Sequence, residues 1–225
     1  MAVSPQKSLV PVTRWWWVRH APVRDDGGRI YGQVDLESDC SADNVFQSLA
    51  SILPRGALWV TSHLRRTKQT AAAIHAAGNS VATGIHETKA FAEQDFGDWQ
   101  GLDRKDFFAS RSLAPHSFWY CPAHERPPGG ESFHDLIDRV RPAVEQLTRD
   151  NPGRDIVAVA HGGTIRAALA IAMDLEPEAS LAFATDNCAV TRLDHIGGDA
   201  RFRWRVGFVN HSPWLGASAP SIPQA

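Results

Sequence analysis

Three short apolar runs, each halted by a polar turn, constrain this chain more than any other feature. Trp15-Trp16-Trp17-Val18 ends at Arg19-His20-Ala21-Pro22, Ala57-Leu58-Trp59-Val60 at Thr61-Ser62-His63, and the run over 156–160 at His161-Gly162-Gly163-Thr164. Runs of this length, bounded by turn residues, read as strands buried on both faces. The alanine-rich stretch 66–77, closed by Gly78, and the apolar stretch 165–173 read as the helices that follow the second and third runs. After the first, a Gly-rich loop (Asp25 to Gly28) leads to a helix over 41–53 with Ser41 as its cap. Residues 132–149 place Phe133, Leu136, Ile137, Val140, Val144 and Leu147 at amphipathic helical spacing. Alternating strands and helices predict an α/β three-layer sandwich: a mostly parallel central sheet with helices on both faces. Sites in such folds lie at the carboxyl ends of strands. His20, the segment from Ser62 to Arg66, and His161 are therefore expected to share one pocket, although far apart in sequence.

The remaining segments decorate that frame. Between Gly97 and Gly130, aromatic residues mix with Pro115, Pro122, Pro127 and Pro128, and neither helical nor strand period persists. This reads as a loop-rich lid insertion with short helical pieces. Residues 188–194 and 201–209, joined through Gly197-Gly198, predict a hairpin at a sheet edge. The tail from Ser212 reads as loose, being rich in Pro, Ala and Ser. At 225 residues and 43% hydrophobic content, one domain over 1–225 is expected.

Composition narrows the partners. The 23 basic and 25 acidic residues give a formal net charge of −2 without a basic stripe, which argues against nucleic acid and anionic membrane and leaves any anion site local. Cys40, Cys121 and Cys188 are odd in number and widely spaced, so free thiols in a reducing compartment are expected. The first residues lack the charged start and apolar stretch of a leader, and no apolar run is long enough to span a bilayer. A cytoplasmic protein is expected.

Two constellations can carry chemistry. Arg19-His20 sets an imidazole beside a guanidinium at a strand end, a suitable place for a nucleophile next to a phosphate. His161 adds a second imidazole, followed by glycines that open a helix and can aim N–H groups at an anion. Alone, either segment also reads as a polar turn. Together with three other segments they resemble a known family. Val18-Arg19-His20-Ala21, the segment from Ser62 to Ala71, the segment from Glu93 to Gly101, Pro128-Gly129-Gly130-Glu131-Ser132 and Ala160-His161-Gly162-Gly163 are similar, in order, to the signature segments of the histidine phosphatases, or phosphoglycerate mutase-like superfamily.

The resemblance spans nearly the whole chain. It implies that His20 attacks phosphorus, that Arg19, Arg66, His161 and Gly162 hold the phosphate, and that Glu93 protonates the leaving oxygen and then activates water. It also implies no metal and no cofactor, and a small phosphorylated metabolite as substrate. Arg65 becomes a solvated position beside Arg66. Ala21 departs from the family's glycine, and Asp25 and Asp26, which would repel phosphate, are expected to face solvent. Gln33 is a candidate neutral phosphate donor. Phe107, Phe108, Trp119 and Tyr120 are expected to cover the leaving group, and Trp15 to Trp17 to lie in the core. His63, His75, His86, His134, His195 and His211 read as surface positions, and His116 and His124 lack a cluster at zinc spacing. The phosphatase branch, with α-ribazole phosphatases and broad-specificity members, looks most similar. A phosphoglycerate mutase-type transfer is the alternative, and a non-catalytic phospho-ligand binder is a third reading.

Overall fold

Apolar residues on both faces of successive strands force the chain into a covered sheet, and that sheet organises the molecule. A computed structural model describes residues 10–79, 84–111, 116–197 and 203–215. The chain start, Pro115, Gly198, Arg201 and the tail beyond 215 lie outside these residues. The elements run β1 (Val12–Arg19), α1 (Asp43–Ile52), β2 (Leu58–Thr61), α2 (Arg65–Ala76), β3 (His86–Glu87), α3 (Arg104–Ser110), α4 (Phe133–Asp150), β4 (Asp155–Ala160), α5 (Gly162–Met173), α6 (Pro177–Ser180), β5 (Val190–Ile196) and β6 (Trp204–His211). The sheet order is β3-β2-β4-β1-β5-β6. The first four strands in that order are parallel, and the β5–β6 hairpin adds two antiparallel strands at the β1 side.

Side-chain alternation along the strands divides the core into two layers. Trp15, Trp17, Val60, Ile156 and Ala158 face α4 and α5, where they meet Leu136, Val140, Ala168 and Leu169. Val18, Trp59, Val157 and Val159 face α1 and α2, where they meet Phe46, Leu49, Ala71 and Ile74. Trp15 and Trp17 stack at 5.0 Å between ring centroids, and Phe91 closes on both. The three-layer arrangement and the core placement of these tryptophans follow the sequence reading, although Trp16 is only partly buried and covers its outer cluster.

Several boundaries differ from expectation. Ser41 does not cap α1: the N-cap is Ala42, without a side-chain bond. Helix α5 begins at Gly162, three residues before the predicted start, because the glycines tolerate the crowded first turn. The hairpin strands sit about two residues later than predicted. Residues 213–215 are not loose: they form a 3-10 turn whose Trp214 packs on the cluster under α1. Among the described residues no helix is long and apolar enough to cross a membrane, and Cys40, Cys121 and Cys188 are free.

Candidate active site

Register decides which residues meet. In the parallel pairing Arg19 lies opposite Ala160 and Thr61 opposite Val159. The residues just past those strand ends, Ser62, His161 and His20, are therefore neighbours in the order β2-β4-β1. The His20 and His161 rings lie 5.1 Å apart, tilted by 58°.

His20 is held by its backbone on three sides. Its N–H donates to the Ala160 carbonyl at 2.9 Å, its carbonyl accepts from Asn187 Nδ2 at 2.8 Å, and the next N–H, of Ala21, donates to Thr70 Oγ1 at 2.8 Å. Nδ1 lies 2.6 Å from the Ala21 carbonyl. A carbonyl can only accept, so Nδ1 carries the proton and Nε2 keeps its lone pair. Burial, then the charges of Arg66 and Arg19, lowers the His20 pKa well below the usual histidine value. The result is a neutral imidazole with a nucleophilic Nε2. The Ala21 methyl group is fully buried in the outer apolar cluster, so its replacement of glycine leaves the pocket open.

Arg66 comes from the first turn of α2 and is fully buried. Its Nη1 donates to Val34 O at 2.8 Å, its Nη2 to Gly32 O at 2.7 Å, and its Nε to His161 Nδ1 at 3.2 Å. His161 Nδ1 is thus an acceptor, so Nε2 carries the ring proton and donates to Ser62 Oγ at 2.8 Å. Burial, Arg66 and then His20 push His161 well below its ordinary range too. Both of its ring nitrogens are engaged by protein, so here it anchors Arg66, whereas the sequence reading expected it to hold phosphate. Arg65 is exposed and paired with Asp35 and Glu37, as its solvated reading expected.

Glu93 enters the same pocket from the loop after β3. Its carboxylate accepts the Gly163 N–H, at 3.0 Å to Oε1 and 3.3 Å to Oε2, and the Gln94 N–H at 2.9 Å. A Cβ on Gly163 would collide with Oε1, so this glycine gives Glu93 its room. The loop is braced from α4. Arg139 pairs with Glu131 at 2.5 Å and donates to carbonyls of Ala90, Ala92 and Glu93, while Glu131 accepts from Asp95 N at 3.0 Å. The Pro-Gly-Gly-Glu-Ser segment therefore positions the acid.

Other placements depart from the sequence reading. Gln33 Nε2 donates to the Glu93 carbonyl at 2.9 Å, so its amide fixes the acid's loop and is not held ready for phosphate. Asp25 is exposed, whereas Asp26 is partly buried and neutralised by Arg104 at 2.7 Å. Phe107 is buried in a lid cluster with Ile30 and Phe96, and Phe108 packs on it. A cavity of about 150 Å³ opens beside this cluster, walled on the lid side by Tyr31, Phe96, Trp119 and Tyr120 and on the sheet side by Arg19, Glu93, Gly162 and Arg166; the fully buried His20, Arg66 and His161 are not among its lining residues. His63, His75 and His195 are partly buried and are not surface positions; His75 sits edge-on to Trp59 at 4.2 Å, and His195 packs on Trp204. His116 pairs with Glu178 at 2.5 Å, beside a wider cavity under the lid and away from His20, and His124 is exposed. Among the described residues no group of three His, Cys, Asp or Glu stands at metal-binding spacing.

Sequence reasoning included Thr70 only as part of the segment from Ser62 to Ala71, without a role, and missed Thr185, Asn187 and Arg166. Arg166 left a signal: it stands four residues after Gly162, on the same face of α5. The loop residues left none.

The family profile of the histidine phosphatase superfamily (branch 1) matches residues 15–206. The chain belongs to that superfamily. Among its relatives in the superfamily, a glucosyl-3-phosphoglycerate phosphatase of Mycobacterium tuberculosis is 33% identical over 83% of this chain and 88% of its own. A metal-independent phosphoserine phosphatase of Arabidopsis thaliana is 32% identical over 69% of this chain and 67% of its own. The native structure of the mycobacterial glucosyl-3-phosphoglycerate phosphatase superposes with a TM-score of 0.77 at 28% identity, covering 89% of this chain and all of that one. A putative α-ribazole-5'-phosphate phosphatase from Escherichia coli shares the fold at 20% identity, with a TM-score of 0.72 over 89% of this chain and 97% of its own. A 2,3-bisphosphoglycerate-dependent mutase of Methylorubrum populi is 34% identical over 59% of this chain and 65% of its own. Phosphatases thus match over more of the chain than the mutase does.

Proposed function

We propose that this histidine phosphatase hydrolyses a small organic phosphate monoester through a phosphohistidine on His20. The observation that carries the reading is the His20 tautomer: Nδ1–H is held by Ala21 O, so Nε2 is free beside a cluster of arginines and one acid. Nε2 attacks phosphorus as the P–O ester bond breaks, and Glu93 delivers a proton to the departing oxygen. Glu93 then takes a proton from water, whose oxygen attacks phosphorus as the N–P bond breaks. Inorganic phosphate leaves and His20 is restored. Arg19 and Arg66 offset the charge on the equatorial oxygens, the part a metal plays elsewhere. His161 fixes Arg66, and the Gly162 turn forms the sheet side of the pocket. The three free cysteines are consistent with a cytoplasmic setting.

The lid favours hydrolysis over mutase transfer. A mutase must retain its intermediate and exclude water. Here Arg104, Arg111 and Arg126 are each paired with an acid, at 2.7, 2.5 and 2.6 Å, and none of them walls the pocket. A panel of phosphate esters, including 3-phosphoglycerate, tests this in the presence of a strong chelator. Free phosphate without 2-phosphoglycerate is expected, with inhibition by vanadate. Loss of turnover on chelation, restored by magnesium or zinc, would refute metal independence.

A further inference from the structure

His20 Nε2 is free only while Ala21 O holds the proton on Nδ1, so whatever aims that carbonyl controls the nucleophile. Two side chains grip the peptide between His20 and Ala21 at opposite edges. Asn187 Nδ2 donates to His20 O at 2.8 Å, and Thr70 Oγ1 accepts from Ala21 N at 2.8 Å. A peptide unit is planar, so one bond on each edge fixes its rotation. Beyond that plane, Pro22 restricts Ala21 to extended backbone, and Pro22 O accepts from Asp39 N at 2.6 Å. The direction of Ala21 O follows.

Each grip has its own support. Thr70 is fully buried, and its hydroxyl donates to Arg66 O at 2.7 Å, which leaves a lone pair for the Ala21 N–H. One hydroxyl thus ties the nucleophile's peptide to the helical turn that carries Arg66. Asn187 stands in a turn closed by Ala189 N on Asp186 O at 3.1 Å, with Cys188 at a φ of 63°, where such turns ordinarily place glycine. A residue with a side chain keeps that conformation only where its surroundings impose it. Here Cys188 N donates to Arg19 O at 2.9 Å, Arg19 N to Ala189 O at 3.2 Å, and Arg19 Nη1 to Thr185 O at 2.5 Å. From β6, Asn210 Oδ1 accepts from Asp186 N at 2.6 Å, and Asn210 Nδ2 donates to Asp186 Oδ2 at 2.8 Å. The turn is clamped between β1 and β6 with its Asn187 amide on His20.

We propose that Thr70 and Asn187 are positioning residues of the nucleophile: by fixing the His20–Ala21 peptide they keep Ala21 O on Nδ1–H, select that tautomer and present Nε2 to phosphorus. Neither has to touch the substrate. A neutral imidazole can carry its proton on either nitrogen, and a proton on Nε2 removes the lone pair that attacks. The kinetic consequence rests on the phosphatase reading, whereas the choice of tautomer does not.

Nitrogen NMR of the enzyme with isotope-labelled histidines, at neutral pH, reads which ring nitrogen carries the proton. In the native protein the proton should be on Nδ1 of His20 and on Nε2 of His161. Thr70→Val and Asn187→Leu, each close in shape to the residue replaced, should give His20 a mixed tautomer. Each should also lower kcat on p-nitrophenyl phosphate ~10-fold or more with KM little changed, as expected for a misplaced nucleophile. Thr70→Ser keeps the hydroxyl and should restore both the tautomer and kcat. The His161 signal reports whether the site is folded in each variant, and the two variants lie on different elements, so either one alone decides the matter. A native Nδ1–H tautomer in folded Thr70→Val or Asn187→Leu would overturn the proposal, and so would a mixed tautomer with kcat unchanged. No phosphate release from any ester by the native enzyme would refute the phosphatase reading, with the tautomer in the variants still deciding the positioning roles.

Discussion

At the scale of single residues, hydrogen-bond direction assigns the protons. Ala21 O accepts from His20 Nδ1, and Arg66 Nε donates to His161 Nδ1, so each ring has one possible neutral tautomer. Because burial lowers the His20 pKa, the ring stays neutral and nucleophilic to a pH well under the ordinary histidine range. The acid limb of kcat/KM assigned to His20 should therefore lie below about pH 6.5, and a pH–rate profile whose His20 limb falls at or above that value would count against the assignment. Glu93→Gln should slow an alkyl phosphate by ~10²-fold or more and an aryl phosphate far less, since a good leaving group needs little protonation. Equal losses on both substrates, in steady-state kinetics, would remove Glu93 from the proton transfer. The grouping of His20, Arg19, Arg66, Glu93 and His161 near three strand ends was legible because ordered motifs mark those ends; the roles proposed for them await the kinetics above. Thr185 and Asn187 were not legible, because only the folding of the loop before β5 against the end of β1 gives them a role.

At the scale of elements, the acid depends on a brace from α4. Ser132 caps that helix, accepting from Asp135 N at 3.2 Å while the Asp135 carboxylate accepts from Ser132 N at 2.7 Å. Glu131 and Arg139, just before the cap and two turns beyond it, clamp the loop that holds Glu93. Arg139→Met should lower kcat ~10-fold or more with KM little changed, because it releases an acid from its place and leaves phosphate contacts intact. A matching rise in KM with kcat preserved would assign Arg139 to substrate binding. Ser132→Ala should cost about 1 kcal/mol in chemical denaturation, and no measurable change would mean the cap is redundant. The amphipathic spacing over 132–149 made α4 readable almost to its ends. The start of α5 was not readable from propensity, since two glycines oppose helix; the first turn holds because its Gly163 N–H finds the Glu93 carboxylate.

Across the whole molecule, the alternation of buried strands and covering helices was visible in the sequence, and so was the convergence of three strand ends. The β3 edge strand escaped notice because two exposed residues carry no period. Burying neutral histidines also couples the site to stability. His20 and His161 have folded pKa values lowered below the unfolded value, so the unfolded chain binds their protons first as pH falls. Their contribution is full above about pH 6.5 and is lost as pH drops toward the folded values. Tm should fall between neutral pH and pH 5, and His20→Asn should flatten that slope; an unchanged slope would show that burial does not hold the ring neutral. The central claim is covalent chemistry at His20, and rapid quenching after mixing with a labelled phosphate ester tests it most directly. The label should appear on the peptide containing His20 in an acid-labile, base-stable bond, and be absent from His20→Ala. Label on a serine or cysteine, or label retained in the variant, would contradict the account.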